Sequence, residues 1–426
     1  MPSQQSLRSA GAFLGSVPPE LVRQERTAET VPRNEDGLRL LAADGNWNGV
    51  ALLAEQLSTA ARSDTISGVA AKLRYILVQV TAYFSMQKYA AAKKLVDALG
   101  DLTSGRFVDP ATGESVVPFS LSFIAALLPS YCGATMDSQR RLYDLLSQCR
   151  QRADMTNPSV WDARVKRVLR ALIVSHYQAE QYSEALRLFE ETIVAEKYDD
   201  NEKNADYVVL RQMLHLQQFA TLCLHCGNIF LAEDVFRAIE SLETSDESAD
   251  VRQFHQFLVA VNQALWMAFN DRVEEAAHVF REVARGTREF CRGLNKVTQT
   301  ALTNVPTLST QKPTVTANAE AQAALCRVAF HQMWVNAAVS HITCMPYEAT
   351  RGKNPTTVMS SIIDTMEGYL RRDPVELLNS DAFLGNCVRL YTLEGDTRQK
   401  KVEMLADLLE VFRCDRNSAP PLGKMV

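Results

Sequence analysis

The chain has 426 residues, of which 46% are hydrophobic and 22% are charged, the composition of an ordinary folded protein. A net charge of −5 argues against broad nucleic-acid binding, which needs a basic surface. No run approaches ~18 consecutive apolar residues, so we expect no membrane span, and the amino terminus lacks the apolar core of a secretory signal. Nine scattered cysteines suit reduced core thiols in a cytosolic protein.

Residues 1–35 are rich in Ser, Gln, Pro and Arg and offer little to bury, so we predict that this segment is disordered. Helical patterning begins at residue 36 and continues to residue 286 as pairs of apolar stripes separated by short polar turns. The first two pairs show the same spacing in degenerate form. In each pair, the residues three and seven positions after the start of the second helix are expected to be buried. The start and these two positions are Trp47, Val50 and Ala54 in the first pair, then Tyr89, Ala92 and Val96 in the second.

The best-preserved pair lies between Trp161 and Val194. Both halves follow the i, i+3/i+4 rule for a buried helix face, and a short polar stretch turns the chain back between them. Tyr182, Ala185 and Phe189 have the spacing of helix B in a tetratricopeptide repeat (TPR). The small alanine lets two helix backbones approach, and the aromatic ring fills the gap to the next repeat.

Two further copies follow with the same three-then-four spacing. Their alanines are at positions 232 and 276. The separations, 47 residues from Ala185 to Ala232 and 44 residues from Ala232 to Ala276, exceed the ~34 of a minimal repeat. We therefore predict an all-α fold, an α-solenoid of divergent tetratricopeptide-like helical hairpins. The predicted repeat-packing residues are Tyr182, Ala185, Phe189, Ala232, Phe236, Ala276 and Phe280.

The remainder of the chain divides into three predicted parts. Residues 287–318 are rich in Thr, Asn and Pro without a period, which favours a flexible insertion. Residues 319–415 resume apolar helical stripes and are predicted to be C-terminal tetratricopeptide-like helices. Residues 416–426 form a Pro-rich tail that we expect to be frayed.

Sequence motifs of catalysis are missing: the chain has no Gly-rich phosphate loop, no H-E-x-x-H and no G-x-S-x-G. The ligand-like cluster at Cys223-Leu224-His225-Cys226 lacks the second C-x-x-C pair of a structural zinc site, which favours core packing over metal binding. The basic run Arg164, Lys166, Arg167 and Arg170 is interpreted as a solvated helix face. We predict no catalytic residue, no metal and no cofactor.

Several strings taken together resemble the family of subunit 12 of the trafficking protein particle (TRAPP) complex, over roughly residues 27 to 420. Those outside the repeats are the more specific ones. The strings are Gly37-Leu38, Gly45-Asn46-Trp47, Val50-Ala51, Val117-Pro118-Phe119-Ser120, Tyr182–Phe189, Gly227–Phe236, Val273–Phe280, Asn336-Ala337-Ala338-Val339, Asp373-Pro374, Asn386, Tyr391, Leu393-Glu394 and Gln399-Lys400-Lys401. The chain departs from the family at 287–318, which replaces a short turn, and lacks the long acidic N-terminal extension of animal members.

The resemblance implies a non-catalytic scaffold subunit of a vesicle-tethering complex that activates a Rab-type small GTPase in ER–Golgi transport or autophagy. The implied partners are other TRAPP subunits and, indirectly, the GTPase, with peripheral membrane association through the complex. Exchange activity in such assemblies belongs to other, small subunits.

Two alternatives stay open at this point. One is a co-chaperone or adaptor that reads short peptide segments, although the inner helices carry apolar residues and Gln where a carboxylate clamp needs Lys, Arg and Asn. The other is an enzyme that uses the thiols of Cys223 and Cys226, for which the sequence offers no base or orienting group.

Overall fold

The computed structural model describes residues 3–17, 22, 26–61, 64–153, 158–195, 205–244, 248–298, 315–349, 355–378, 380–393 and 398–412. These residues form eighteen α-helices, and the prediction of an all-α chain of tetratricopeptide-like hairpins is confirmed. No helix in the described ranges combines the length and the apolar character needed to cross a membrane. The chain divides into two compact units, one built mainly from residues 23–196 and the other from residues 2–22 and 197–413.

Helix α1 (Gln4–Leu14) belongs to the second unit, and the first unit contains the next eight helices. Within the first unit, consecutive helices pack against each other, and a 3₁₀ turn at Gly105–Phe107 adds a buried phenylalanine to the core. The helices of the first unit are α2 (Glu35–Ala43), α3 (Trp47–Ala60), α4 (Ile66–Ser85), α5 (Tyr89–Asp97), α6 (Phe119–Tyr131), α7 (Thr135–Ala153), α8 (Pro158–Gln178) and α9 (Tyr182–Ala195).

The second unit contains the remaining helices, which include the longest helix of the described residues. Its core includes a cluster of buried residues formed by Ala264, Ala276, Ala277, Phe280 and Cys344. The helices are α10 (Ala205–His225), α11 (Ile229–Glu240), α12 (Ala249–Phe269), α13 (Val273–Thr298), α14 (Val315–Ala349), α15 (Pro355–Arg372), α16 (Pro374–Leu378), α17 (Asp381–Leu393) and α18 (Arg398–Phe412).

One turn geometry joins the two helices of six hairpins. In each, the residue two positions before the second helix has a positive φ, and the next residue donates its backbone N–H to the carbonyl five residues earlier, at 2.8–2.9 Å. This is the Schellman motif, which satisfies the free carbonyls at a helix end. The left-handed residues are Gly45, Gln87, Gly133, Glu180, Gly227 and Asp271.

The second helices of these six hairpins begin between 42 (47 to 89) and 47 (135 to 182) residues apart along the chain. In each of them the residue three positions after the start is at most 2% exposed, and the residue seven positions after the start is at most 9% exposed. The hairpin of α6 and α7 obeys the same rule with Ser138 and Leu142, both fully buried. Sequence reasoning missed this copy, because serine occupies the alanine position.

The predicted disorder of residues 1–35 is wrong for α1. Ser3 caps this helix by accepting a hydrogen bond from the N–H of Ser6, and Ala10 is fully buried. The helix packs on α18, where Ser3 N–H donates to Glu410 at 2.7 Å, and the Arg371 guanidinium of α15 lies 4.5 Å from the Phe13 ring. A segment with few apolar residues folds here because its partner is supplied by the far end of the chain.

The predicted insertion 287–318 is also wrong at both ends. Helix α13 continues to Thr298, with Thr287, Arg288 and Cys291 buried, and α14 begins at Val315. The Thr and Asn content hid a helix whose inward face is set by packing rather than by propensity. Residues 299–314 and the predicted tail 416–426 lie outside the described residues. The predicted solenoid 36–286 includes parts of both units. The spacing of the repeats along the sequence continues without a break at the boundary between the units.

Candidate functional site

The residues predicted to pack between repeats are placed by their helices in nearly equivalent positions. Ala185, Ala232 and Ala276 are fully buried, each on the second helix of its hairpin. The phenylalanines seven positions after the start of these helices, at 189, 236 and 280, are 8%, 9% and 1% exposed. Tyr182 differs, because its side chain is 37% exposed and its ring lies 5.9 Å from the ring of Tyr177 rather than in the seam.

A polar network ties the hairpin of α8 and α9 to the preceding helix α7. His176 is 7% exposed, with Nε2 2.9 Å from the hydroxyl of Tyr143 and Nδ1 2.6 Å from Oε1 of Gln181. The Arg187 guanidinium is paired with Glu184 at 2.6 and 2.9 Å and holds the pKa of that carboxyl below its usual value. Both imidazole nitrogens are occupied, so His176 joins α8 to α7 and to the turn before α9 and is not available to a substrate.

The Cys223–Cys226 cluster lies at the end of α10. Cys223 is buried, and burial raises the pKa of the partly buried Cys226 thiol. A raised pKa disfavours the thiolate, which is both the nucleophile and the metal ligand. Within the described ranges, no three His, Cys, Asp or Glu side chains are grouped so that they could hold a metal ion.

An open cleft of about 960 Å³ lies in the second unit between α13, α14 and α15. Arginines from α13 and α15 dominate its lining, with carboxylates between them. The charged lining residues are Arg281, Arg285, Arg288, Arg372, Glu282, Glu289 and Asp364.

Only part of this charge is neutralised inside the cleft. Arg285 is paired with Glu282 at 2.5 Å. The buried Arg288 is paired with Asp373 and also donates to the backbone carbonyl of Arg372 at 3.1 Å. Arg372 makes no ion pair with the described residues, and Arg281 lies 3.9 Å from Glu282. The walls therefore present guanidinium donors that a bound chain could use.

His341 and Tyr369 form the floor of the cleft. Nδ1 of His341 lies 3.0 Å from the Tyr369 hydroxyl, and both side chains are buried. Burial, with a smaller contribution from Arg281, lowers the pKa of His341 to about 4, and burial raises the pKa of Tyr369 to about 12. Both groups are therefore neutral near pH 7, which suits hydrogen bonding rather than proton transfer.

One polar atom of this floor has no hydrogen-bond partner among the described residues. The phenol keeps its proton and is assigned as the donor to Nδ1, so Nε2 carries the proton of the neutral imidazole. No described residue accepts a hydrogen bond from Nε2. This nitrogen is itself buried, so it is a polar atom without a partner in the protein interior and not a group that faces the cleft.

No protein-family model matches this sequence, and comparison with curated proteins gives no match either. Among solved structures, the chain is similar to one in "Structure of Naa15/Naa10 bound to HypK-THB", with 11% sequence identity and a TM-score of 0.28. The alignment covers 98% of this chain and 61% of that chain, so this chain spans less than two thirds of its length. Similarity at this level carries no functional argument, and the resemblance to the TRAPP family stays a prediction.

Proposed function

We propose that this chain is a non-catalytic scaffold subunit of a TRAPP-type vesicle-tethering complex that activates a Rab-type small GTPase in ER–Golgi transport or autophagy. Its direct partners are other TRAPP subunits, and the GTPase is reached through them. Its place in the cell is cytoplasmic, peripheral at early secretory membranes, and its membrane association is through the complex.

The observation that carries the scaffold part is the repetition of one hairpin. Six helix pairs share the same turn and the same buried positions, across α2 to α13. Stacked pairs of this kind bury a continuous core and leave long helix faces exposed, which bind extended segments or helices of other proteins. Large side chains left on such faces here include Phe230, 82% exposed, and Met136, 70% exposed.

The strings behind the TRAPP resemblance support the more specific part of the proposal. Ser120 accepts a hydrogen bond from Arg167 at 3.2 Å, Asp373 is paired with Arg288, and Asn386 Nδ2 lies 3.4 Å from Thr343 Oγ1. Each of these residues joins its own segment to another helix. These three residues of the strings therefore have a structural task in this chain.

Affinity purification of the tagged full chain from the cells that make it tests this proposal. We expect other TRAPP subunits at near-equal stoichiometry by quantitative mass spectrometry, and none in a tag-only control. Recovery of chaperones or unrelated proteins alone would contradict the proposal.

A second candidate function is a peptide-reading adaptor, and the cleft between α13, α14 and α15 favours it. The site offers guanidinium groups to a C-terminal carboxylate. Binding of a peptide with a free carboxyl terminus should be at least about tenfold weaker in Arg372→Gln, because a charge-assisted hydrogen bond is lost. The control Arg237→Gln, on α11 and outside the cleft, should bind as the unmodified chain does. Equal binding of the carboxyl-terminal amide would exclude this function.

A further inference from the structure

Three arginines and three aromatic rings meet in the first unit, where α6, α7 and α8 pack together. We name this the arginine–tryptophan cluster: Arg152, Arg164, Arg167, Trp161, Phe119 and Phe123. The guanidinium of Arg164 lies 4.1 Å from the centroid of the Trp161 ring, and that of Arg152 lies 5.1 Å from the same centroid. Two positive charges thus share one indole ring.

The aromatic rings fix the positions of these charges. Arg164 also lies 5.0 Å from the Phe119 ring, and Arg167 lies 4.5 Å from the Phe123 ring. Arg167 additionally donates to Ser120 Oγ at 3.2 Å. Stacking holds the planar guanidinium groups in place before any ligand arrives, which lowers the entropy cost of binding. Within the basic run of α8, Arg167 and Arg170 are exposed, as predicted for a solvated face, whereas Arg164 and Lys166 are half-buried.

Arg164 and Arg167 differ in counter-charge from three other arginines of the same unit. Arg140, Arg150 and Arg187 each form an ion pair with a carboxylate. Arg164 and Arg167 form none with any carboxylate that the structure describes. Burial and the neighbouring Arg152 together lower the pKa of Arg164, as expected for a partly desolvated cation beside a like charge. An anion placed between these side chains would relieve that repulsion.

We propose that the arginine–tryptophan cluster is a docking site for an acidic segment of a partner protein. Aspartate or glutamate carboxylates would bind the guanidinium groups of Arg164 and Arg167, and the partly exposed side chain of Trp161 would cover the adjacent part of the segment. The inference rests on the scaffold function proposed above, for which the partner is a protein. A nucleic-acid backbone fits less well, because the chain carries a net charge of −5 and the cluster has only three cations.

Fluorescence polarisation with the full chain tests the proposal. The probe is a fluorescein-labelled synthetic peptide rich in Asp and Glu, with both termini blocked, and its counterpart has Asn and Gln at the same positions. We expect binding of the acidic peptide alone. Arg164→Gln should weaken it at least about tenfold, since charge-assisted contacts are lost. Arg164→Lys should weaken it at least about threefold, because lysine keeps the charge but lacks the planar fork.

The matched control is Arg170→Gln, an exposed arginine of the same helix that stacks on no ring among the described residues. Arg170→Gln should change the affinity for the acidic peptide by less than about twofold, because salt screens the charge of an exposed side chain. An equal loss in Arg164→Gln and Arg170→Gln would overturn the proposal, because only general charge would then matter. If Arg164→Gln loses helical circular dichroism, the exposed Arg167→Gln replaces it, with the same expected loss.

Two further outcomes also overturn the docking site. One is no binding of the acidic peptide. The other is tighter binding of a single-stranded oligonucleotide or of phosphatidylserine vesicles than of the peptide. Failure of the docking site with TRAPP subunits still co-purifying would leave the scaffold function standing. Peptide binding without co-purification would instead refute the TRAPP assignment and keep the docking site.

Discussion

The side chains of His176 and Gln181 are hydrogen-bonded across the turn between α8 and α9, with 2.6 Å between Nδ1 and Oε1. The backbone N–H of Gln181 also donates to the carbonyl of His176 at 2.9 Å. Gln181, the last residue of the turn, is thus tied by two bonds to His176 in the last turn of α8, and the backbone bond recurs in all six hairpins. Glu180, enclosed by this pair, has a φ of 59°. A non-glycine residue in that conformation is strained, and the strain can be measured.

Glu180→Gly should raise the free energy of unfolding by about 0.5–1 kcal/mol. Glycine adopts the left-handed conformation without the steric penalty, which outweighs its larger entropy in the unfolded chain. The substitution also removes the carboxylate of Glu180, which lies at an exposed position. The matched control is Gln178→Gly, at the exposed last residue of α8, which should lower stability by a similar amount. Urea unfolding followed by circular dichroism measures both, and the same sign for the two variants would contradict the argument.

Gly227→Ala should cost about 1 kcal/mol in the second unit. A Cβ at position 227 meets no atom within 4 Å, so the cost comes from the backbone alone, at a φ of 76°. Gly385→Ala is the control, because this glycine lies within α17, also with open space around its Cβ. Alanine there should stabilise by about 0.5–1 kcal/mol. Differential scanning calorimetry of both variants would show shifts of opposite sign, and an unchanged Gly227→Ala would remove the role given to the turn.

Ala185→Leu should destabilise the first unit by about 1–3 kcal/mol. The alanine is fully buried in the hairpin, so a larger side chain forces the helices apart. Ala163→Leu, at an exposed position of α8, should stay within about 0.5 kcal/mol. Thermal unfolding of the two variants gives the comparison. Equal melting temperatures would mean that the alanine does not set the helix spacing.

What the sequence predicted was local, and what it missed was long-range. The three-then-four spacing at Ala185, Ala232 and Ala276 depends on neighbours within one hairpin, and a single helical period encodes it. Helix α1 could not be found this way, because Ser6 meets Glu410, 404 residues later in the chain. For the same reason the half-burial of Arg164 in the basic run of α8 was not predicted, because the Phe119 ring beside it comes from α6. The copy at Ser138 was findable from Gly133, five residues before it, at the turn.

The cleft residue His341 should make the second unit less stable in acid. Its pKa in the folded chain is about 4, and that of an unfolded histidine is about 6.5. The unfolded state therefore binds more protons than the folded state between these two pH values. The contribution of His341 to the free energy of unfolding is fully present above about pH 6.5 and is lost as the pH falls toward 4, by about 3 kcal/mol at most. His341→Gln should flatten that pH dependence, whereas His278→Gln, at an exposed position of α13, should retain it. Urea unfolding across this range tests the slope, and an unchanged slope in His341→Gln would refute the assignment.

Ser6→Asp should release α1 from α18. Ser6 is 2% exposed, and its hydroxyl lies 2.8 Å from Glu410 Oε2 and 3.0 Å from Asp407 Oδ1. A third carboxylate at this point is repelled by the other two in a site with little water, so docking should weaken by at least about 2 kcal/mol.

Trypsin reports this release, since the exposed Arg8 lies within α1 and is cut only when that helix unfolds locally. We expect cleavage after Arg8, followed by mass spectrometry, to be more than about tenfold faster in Ser6→Asp than in the unmodified chain. Gln5→Glu adds the same charge at the exposed neighbouring residue and should keep the original rate. Slow cleavage in Ser6→Asp would mean that the hydroxyl of Ser6 does not hold the two ends of the chain together.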